Sequence, residues 1–180
     1  DYKSLYESSS RADREELYRW IEYYKIKFKS RVYTPLNNSE KYTLVLMGRA
    51  DFGLLGSYNK YKQTPFETFH VGGDGMTGSY TYATETIGLR GYDNGALTPY
   101  SDGRAYTRFS MELHFPFLLQ PSSTIYGLAF VEGGNAWTSL ENFNPFSLKR
   151  SAGVGVRIFL PMIGLMGIDW AYGFDKVQGE

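Results

Sequence analysis

The segment Ser151–Phe174, "SAGVGVRIFLPMIGLMGIDWAYGF", contains two alternating patterns separated by one turn signal. In its first half, Gly153, Gly155 and Arg157 alternate with Ala152, Val154, Val156, Ile158 and Leu160. In its second half, Asp169 alternates in the same way with Met166, Ile168, Trp170, Tyr172 and Phe174. Because successive side chains of a strand point to opposite faces, each half has one apolar face. The segment therefore predicts two antiparallel strands joined by a tight turn from Pro161 to Gly164.

The same period of two recurs in four other segments of the chain. Their polar faces carry Lys25, Lys27, Lys29 and Arg31; Arg49 and Asp51; Arg108, Ser110, Glu112 and His114; and Glu132, which is opposite in parity to Val131. On a helix these charges would scatter, whereas on a strand each set shares one face. The chain is therefore predicted to be an all-β protein with about six antiparallel strands.

Two regions depart from this pattern. In "SSSRADREELYRWI" (8–21), Ser10 is a candidate N-cap with Asp13 three residues later, which predicts a surface helix of about three turns. Leu17, Trp20 and Ile21 would share one face of it. The second region, residues 56–103, is polar and rich in glycine, and it is predicted to be one long loop.

Composition leaves two kinds of β protein open. The 180 residues carry no net charge and no cysteine, so bulk charge does not suggest nucleic-acid binding, and neither disulfides nor thiolate chemistry are available. Aromatic residues make up 17% of the chain, as in the interfacial girdles of membrane β-barrels. A soluble β-sandwich could share that composition and the same alternation, with its apolar faces turned to a core.

No cofactor, metal or catalytic site is predicted. "GDGMTG" (73–78) fits G-x-G-x-x-G, but the following "SYTYAT" does not begin a helix, as dinucleotide binding requires. His70 and His114, the two histidines, lack metal-ligand spacing. No nucleophile elbow is present.

Three ordered segments resemble the BamA superfamily of outer-membrane insertases and transporters. "PFETFHVGG" (65–73) followed by "ETIGLRGY" (85–92) is similar to the family's sixth extracellular loop, whose hallmark is an aliphatic-Arg-Gly-aromatic tetrad. The tetrad residues here are Leu89, Arg90, Gly91 and Tyr92. "FVEGGNAW" (130–137) resembles a motif of a later strand, with Phe130, Glu132, Gly134 and Trp137 at the matching positions. The resemblance runs in order from about Tyr23 to Asp175.

The resemblance implies an antiparallel transmembrane β-barrel segment, corresponding to strands ten to fifteen of sixteen. Residues 1–21 would be an extracellular loop with the short helix, and residues 22–180 a partial outer-membrane barrel. Residues 56–103 would then be a loop that folds into the lumen. Two departures stand out, since many members carry Asp where this chain has Glu132, and "DGMTGSYTYAT" (74–84) looks like an insertion. The sequence also ends before the family's last strand.

What the resemblance implies for function is insertion of β-barrel proteins into the bacterial outer membrane without ATP or a cofactor. The expected partners are outer-membrane lipids, unfolded outer-membrane proteins and subunits of an assembly complex, with no nucleic acid and no enzymatic activity. Two alternatives remain within this reading: a secretion transporter of the same superfamily, or the barrel anchor of a lipase-like enzyme.

The resemblance also implies a role for Arg90. In the family the loop arginine meets an acid of the inner wall, so a salt bridge between Arg90 and Glu132 is predicted to hold the loop. A charge inside a crowded lumen is costly unless it is paired. Gly133 and Gly134 are expected to allow close approach of the loop to the wall. The cations from Lys25 to Arg31 are expected to be balanced by wall acids, namely Asp51, Glu112, Glu132 and Asp169.

Overall fold

The computed structural model describes residues 2–8, 10–39, 42–59, 61–64, 66–76, 84–98, 100 and 102–177. Its elements in chain order are α1 Tyr2–Glu7, α2 Arg11–Leu17, β1 Tyr23–Pro35, β2 Val45–Ser57, β3 Thr68–Val71, β4 Thr84–Ile87, β5 Ala105–Gln120, β6 Ser123–Trp137, β7 Lys149–Leu160 and β8 Gly164–Gly173. The six long strands form one sheet in the order β1-β2-β5-β6-β7-β8, with every pair antiparallel. The predicted all-β antiparallel class is confirmed, and in the described residues β1 and β8 are the two edges of the sheet and do not pair with each other.

The two faces of the sheet differ as the alternation predicts. Large apolar residues on one face are exposed, among them Ile26, Phe28, Val131, Val154, Ile168 and Trp170. The opposite face buries Asp51, Arg108, Ser110, Glu132 and Ser151. Hydrocarbon is the environment that favours an apolar outer face, and a packed interior is the environment that tolerates these polar groups when they are paired.

The long connection between β2 and β5 lies against the polar face and has structure of its own. Its strands β3 and β4 pair in parallel, with Phe69 opposite Glu85. Residues of the connection and of the wall form one buried apolar cluster: Leu55, Phe69, Val71, Ile87, Leu89, Leu97, Tyr106 and Ala136. The predicted long loop thus contains two short strands that were not predicted, and it folds onto the sheet as a small layer. Residues 77–83, most of the suspected insertion, lie outside the described residues.

The N-terminal helix is shorter than predicted. Helix α2 ends at Leu17, which is buried, and Trp20 lies beyond it and is 71% exposed. Ser10 takes the N-cap position but makes no side-chain cap hydrogen bond. The capping box does not form, since the Ser10 N–H donates to Ser8 Oγ at 3.2 Å and the Asp13 carboxylate accepts from the Ser8 hydroxyl at 2.5 Å. Helix α1 was not predicted. In the described residues, neither helix has the length and apolar character needed to cross a bilayer.

A charge on the apolar face tests whether that face meets lipid. Val154 lies in the middle of β7 and is 54% exposed. We expect Val154→Arg to reduce the free energy of unfolding by about 2–4 kcal/mol in phospholipid vesicles, because an arginine at the bilayer midplane is costly. The measurement is urea unfolding of the full-length protein in vesicles. Gln120→Arg, at the end of β5, is the control, with a cost of about 0–1 kcal/mol near the interface. Equal effects at both positions would contradict a lipid-facing sheet.

Candidate functional site

The tetrad residues lie where the connection turns against the inner wall. Leu89 is fully buried and faces Gly134 of β6, where an added Cβ would lie 3.2 Å from Leu89 Cδ1 and 2.8 Å from the Thr107 carbonyl oxygen. Gly134 therefore allows the close approach expected of it. Gly133 does not take part, because an added Cβ there would face Leu148 on the opposite side. The adjacent glycines thus have different surroundings, as strand parity requires.

Arg90 reaches acids on three strands of the sheet. Its Nη2 lies 2.7 Å from Glu132 Oε1 on β6 and also contacts Glu112 on β5, while its Nη1 lies 3.3 Å from Asp169 Oδ2 on β8. Its backbone N–H donates to Glu132 Oε2 at 2.9 Å. The guanidinium also lies 3.5 Å from the ring centroid of Phe130, a cation–π contact. The predicted partners are therefore brought together, with two more acids that the sequence reading did not assign to Arg90.

Two further arginines complete this charge arrangement. Arg108 Nη2 lies 2.8 Å from Glu132 Oε1, and Arg157 Nη1 lies 2.6 Å from Asp169 Oδ1. We call the whole group the wall cluster, and its members are Arg90, Arg108, Arg157, Glu112, Glu132 and Asp169. Three cations and three acids give it no formal charge, a balance that lowers the cost of burying them.

The cations of β1 are paired differently from the expectation. Lys25, Lys27 and Lys29 contact acids of the connection, not the wall acids, and Arg49 is the partner of Asp51 at 2.5 Å. The expectation that wall acids balance these cations was therefore wrong. Parity gave the correct face for each charge, but it carries no information on height along the strand.

The second half of the tetrad contacts the last two strands. Gly91 has φ +91°, and an added Cβ there would lie 2.9 Å from the backbone N of Gly173. The hydroxyl of Tyr92 donates to the carbonyl oxygen of Arg150 at 2.6 Å and accepts from the N–H of Asp175 at 3.3 Å. These contacts fix the backbone that follows the arginine.

Trp137, the last residue of the later motif, lies at the end of β6. Its ring packs edge-on against Phe143, with centroids 5.0 Å apart, and its carbonyl oxygen accepts from Arg104 N–H at 2.7 Å. These contacts join the strand end to the β6–β7 connection and to the residue before β5, so Trp137 has a different place in the structure from Leu89, Arg90 and Glu132.

The environment of the connection shifts the pKa of two tetrad residues. Burial alone would lower the pKa of Arg90, but hydrogen bonds and charge from Glu132 and Glu112 outweigh it and raise that pKa. Arg90 therefore remains a cation at any physiological pH. Burial raises the pKa of the Tyr92 hydroxyl, which remains a hydrogen-bond donor. The described residues hold no group of three or more metal-ligating side chains.

Comparisons with known proteins give the family. The model of the Omp85 superfamily domain matches residues 10–180. The fold is similar to the crystal structure of BamA from Haemophilus ducreyi lacking POTRA domains 1-3, with a TM-score of 0.66 and 21% sequence identity. That likeness covers 88% of this chain and 33% of the other, so this chain spans about a third of the length of that protein. The resemblance drawn from the tetrad and the later motif is confirmed, and the chain belongs to the Omp85 superfamily, a superfamily of outer-membrane proteins.

Proposed function

We propose that this chain is part of an outer-membrane β-barrel assembly factor, which folds β-barrel proteins and inserts them into the outer membrane. In this proposal, the pairing of Arg90 with Glu132 holds the connection inside the lumen during insertion. Membership of the Omp85 superfamily supports the general role. Unfolded outer-membrane proteins are the proposed substrates, and outer-membrane lipids and the subunits of an assembly complex are the proposed partners.

One observation carries the proposal, namely that Arg90 contacts acids from β5, β6 and β8 at the same time. A guanidinium has five N–H donors in a fixed plane, so it can serve several carboxylates together. Removing the Arg90 guanidinium would leave the three wall acids with two cations, Arg108 and Arg157. The docked connection therefore stabilises the mutual position of strands that span most of the sheet.

A stable wall is useful to an insertase because insertion depends on an exposed strand edge. An unpaired edge offers its N–H and C=O groups to an incoming substrate strand. The substrate strand pairs with that edge, which extends the sheet by β-augmentation. No ATP is needed when the free energy comes from folding of the substrate in lipid. In this mechanism the residues of this chain keep the barrel wall in register while strands pair elsewhere.

The test uses the full-length protein in phospholipid vesicles with an unfolded outer-membrane barrel as substrate. We expect Glu132→Ala to reduce the rate of substrate folding by about tenfold or more, since loss of one partner of a buried ion pair costs about 3–5 kcal/mol. Glu132→Asp is the matched control, because it retains the carboxylate and restores the residue common in the family. Folding is read from protease resistance of the substrate. A fully active Glu132→Ala protein would refute the proposed role of the pair.

A secretion transporter is the second candidate, and one cavity favours it. A cavity of about 580 Å³ lies between the connection and β7–β8, lined by Arg90, Tyr92, Arg157 and Asp169 among others. In this second function, the passage would begin at the cavity beside the docked connection. Conductance across a planar bilayer distinguishes the two functions: a transporter would give channels in which Arg90→Ala increases the open fraction, while substrate folding stays at the background rate.

A further inference from the structure

Three lysines of β1 form a row that faces the connection. Lys25, Lys27 and Lys29 alternate along the strand, so their side chains share the inner face of the sheet. We call these three residues the lysine ladder. A row of like charges on one face repels itself and is destabilising unless acids lie opposite. The lysine ladder therefore requires acidic partners.

The acids opposite the ladder are Glu67, directly before β3, and Glu85, within β4. Lys25 Nζ lies 2.6 Å from Glu67 Oε2 and 3.1 Å from Glu85 Oε2. Lys27 and Lys29 lie 3.1 Å and 3.2 Å from the two carboxylate oxygens of Glu85. Glu85 therefore accepts from all three lysines, and Glu67 holds the end of the row.

Burial strengthens the ion pairs of Lys25 with Glu67 and Glu85. The side chains of Lys25, Glu67 and Glu85 are each 21% exposed. Lys25 Nζ also lies 5.1 Å from the ring centroid of Phe69, whose ring is fully buried in the apolar cluster. Burial would raise the pKa of Glu85, but the three lysine hydrogen bonds outweigh it and lower that pKa. Glu85 thus stays ionised at neutral pH.

We infer that the lysine ladder, through Glu85 and Glu67, is a second anchor of the connection, separate from the anchor at Arg90. Within the described part of the chain, the two anchors share no acid: the ladder contacts Glu67 and Glu85, and Arg90 contacts Glu112, Glu132 and Asp169. They also hold opposite ends of the sheet, since the ladder is on β1 and Arg90 reaches β8. Either anchor can therefore open while the other remains closed.

The test reads the position of the connection separately from insertion activity. Two single cysteines report on the two anchors in the full-length protein. The first is Leu55→Cys, since Leu55 lies on β2 directly across from Lys25 and its side chain is 1% exposed. The second is Ser151→Cys, since Ser151 lies on β7 beside Gly91 and is also 1% exposed. The 180 residues contain no cysteine of their own. The rate of labelling by a water-soluble maleimide then measures how often each site is uncovered.

Reversing the charge of Glu85 should open the first anchor alone. We expect Glu85→Lys to raise the labelling rate at Leu55→Cys by about tenfold or more, because one attraction to three lysines becomes repulsion. The rate at Ser151→Cys should change by less than about threefold, since Arg90 keeps its acids. Adding Lys27→Glu and Lys29→Glu to Glu85→Lys should restore the slow rate at Leu55→Cys, which a general packing defect would not do.

Arg31 supplies the matched control for loss of a cation. It shares the strand and face of the ladder, and among the described residues no ion pair within 4 Å is found for it. Lys27→Ala with Lys29→Ala should speed labelling at Leu55→Cys, whereas Arg31→Ala should not. Removing nearby cations raises the pKa of a thiol and slows its reaction, so a faster reaction reports uncovering.

Two outcomes would overturn the second anchor. One is an unchanged rate at Leu55→Cys in Glu85→Lys, and the other is an equal rise at both cysteines, which would mean a single cooperative release. Ala136→Cys, a smaller change under the same apolar cluster, repeats the measurement if Leu55→Cys disturbs folding. A fully active Glu132→Ala protein would count against the proposed function and leave the second anchor intact, because the ladder does not contact Glu132.

Discussion

Arg90→Ala should uncover the inner wall at β7. The variant removes the cation that Glu112, Glu132 and Asp169 share, and loss of one partner from a buried ion pair costs about 3–5 kcal/mol. We therefore expect labelling of Ser151→Cys to rise by roughly two to three powers of ten, as the population with the tetrad undocked increases. The remaining wall acids then repel one another, because Arg108 and Arg157 cannot balance three carboxylates.

The control for Arg90→Ala is an arginine with an exposed partner. Arg150 pairs with Asp175 at 3.0 Å, but its side chain is 69% exposed. Exposed ion pairs contribute little to stability because water and salt screen them. Arg150→Ala should leave labelling of Ser151→Cys unchanged. A similar rate in both variants would mean that the wall cluster does not hold the tetrad.

Gly91→Ala should displace the tetrad by a different mechanism. A Cβ at Gly91 would lie 2.9 Å from two backbone atoms of β8, Gly173 N and Tyr172 C, which have no freedom to move aside. The positive φ costs roughly 1–2 kcal/mol for alanine, and overpacking adds about 1–3 kcal/mol. We expect faster labelling of Ser151→Cys and lower stability in urea, although every charge of the wall cluster is retained.

Gly164→Ala separates the cost of the positive φ from the cost of overpacking. Gly164, the first residue of β8, has φ +94°, and an added Cβ would meet nothing within 4 Å. It should therefore show only the backbone cost, about 1–2 kcal/mol in unfolding, and no change at Ser151→Cys. If Gly91→Ala and Gly164→Ala have equal effects on unfolding and labelling, close approach of the tetrad to β8 plays no part in docking.

The long strands were predictable because each alternates between a face of polar or small residues and an apolar face. The period of two in residues 24–33 and 151–174 places Lys27 and Gly153 on the inner side and Val154 on the outer side, as the structure has them. The same parity places Glu132 inside and Val131 outside. Such assignments need only local sequence, since side-chain direction alternates along any strand.

The partners of each charge could not be predicted from alternation. Parity shows that Glu112, Glu132 and Asp169 face inward, but the height at which they meet Arg90 depends on pairing registers between distant strands. The fold of the connection could not be predicted from the sequence for a related reason. Strands β3 and β4 have four residues each and pair in parallel, so no hairpin turn marks their pairing in the sequence.

The short chain distance between Glu85 and Gly91 limits how wide the barrel can be. Glu85 meets β1 and Gly91 meets β8, strands separated by five steps across the sheet. Six extended residues reach about 20 Å, whereas five strand spacings measure roughly 24 Å along the sheet. While both contacts hold, β1 and β8 cannot separate beyond the combined reach of this segment and of the Glu85 and lysine side chains.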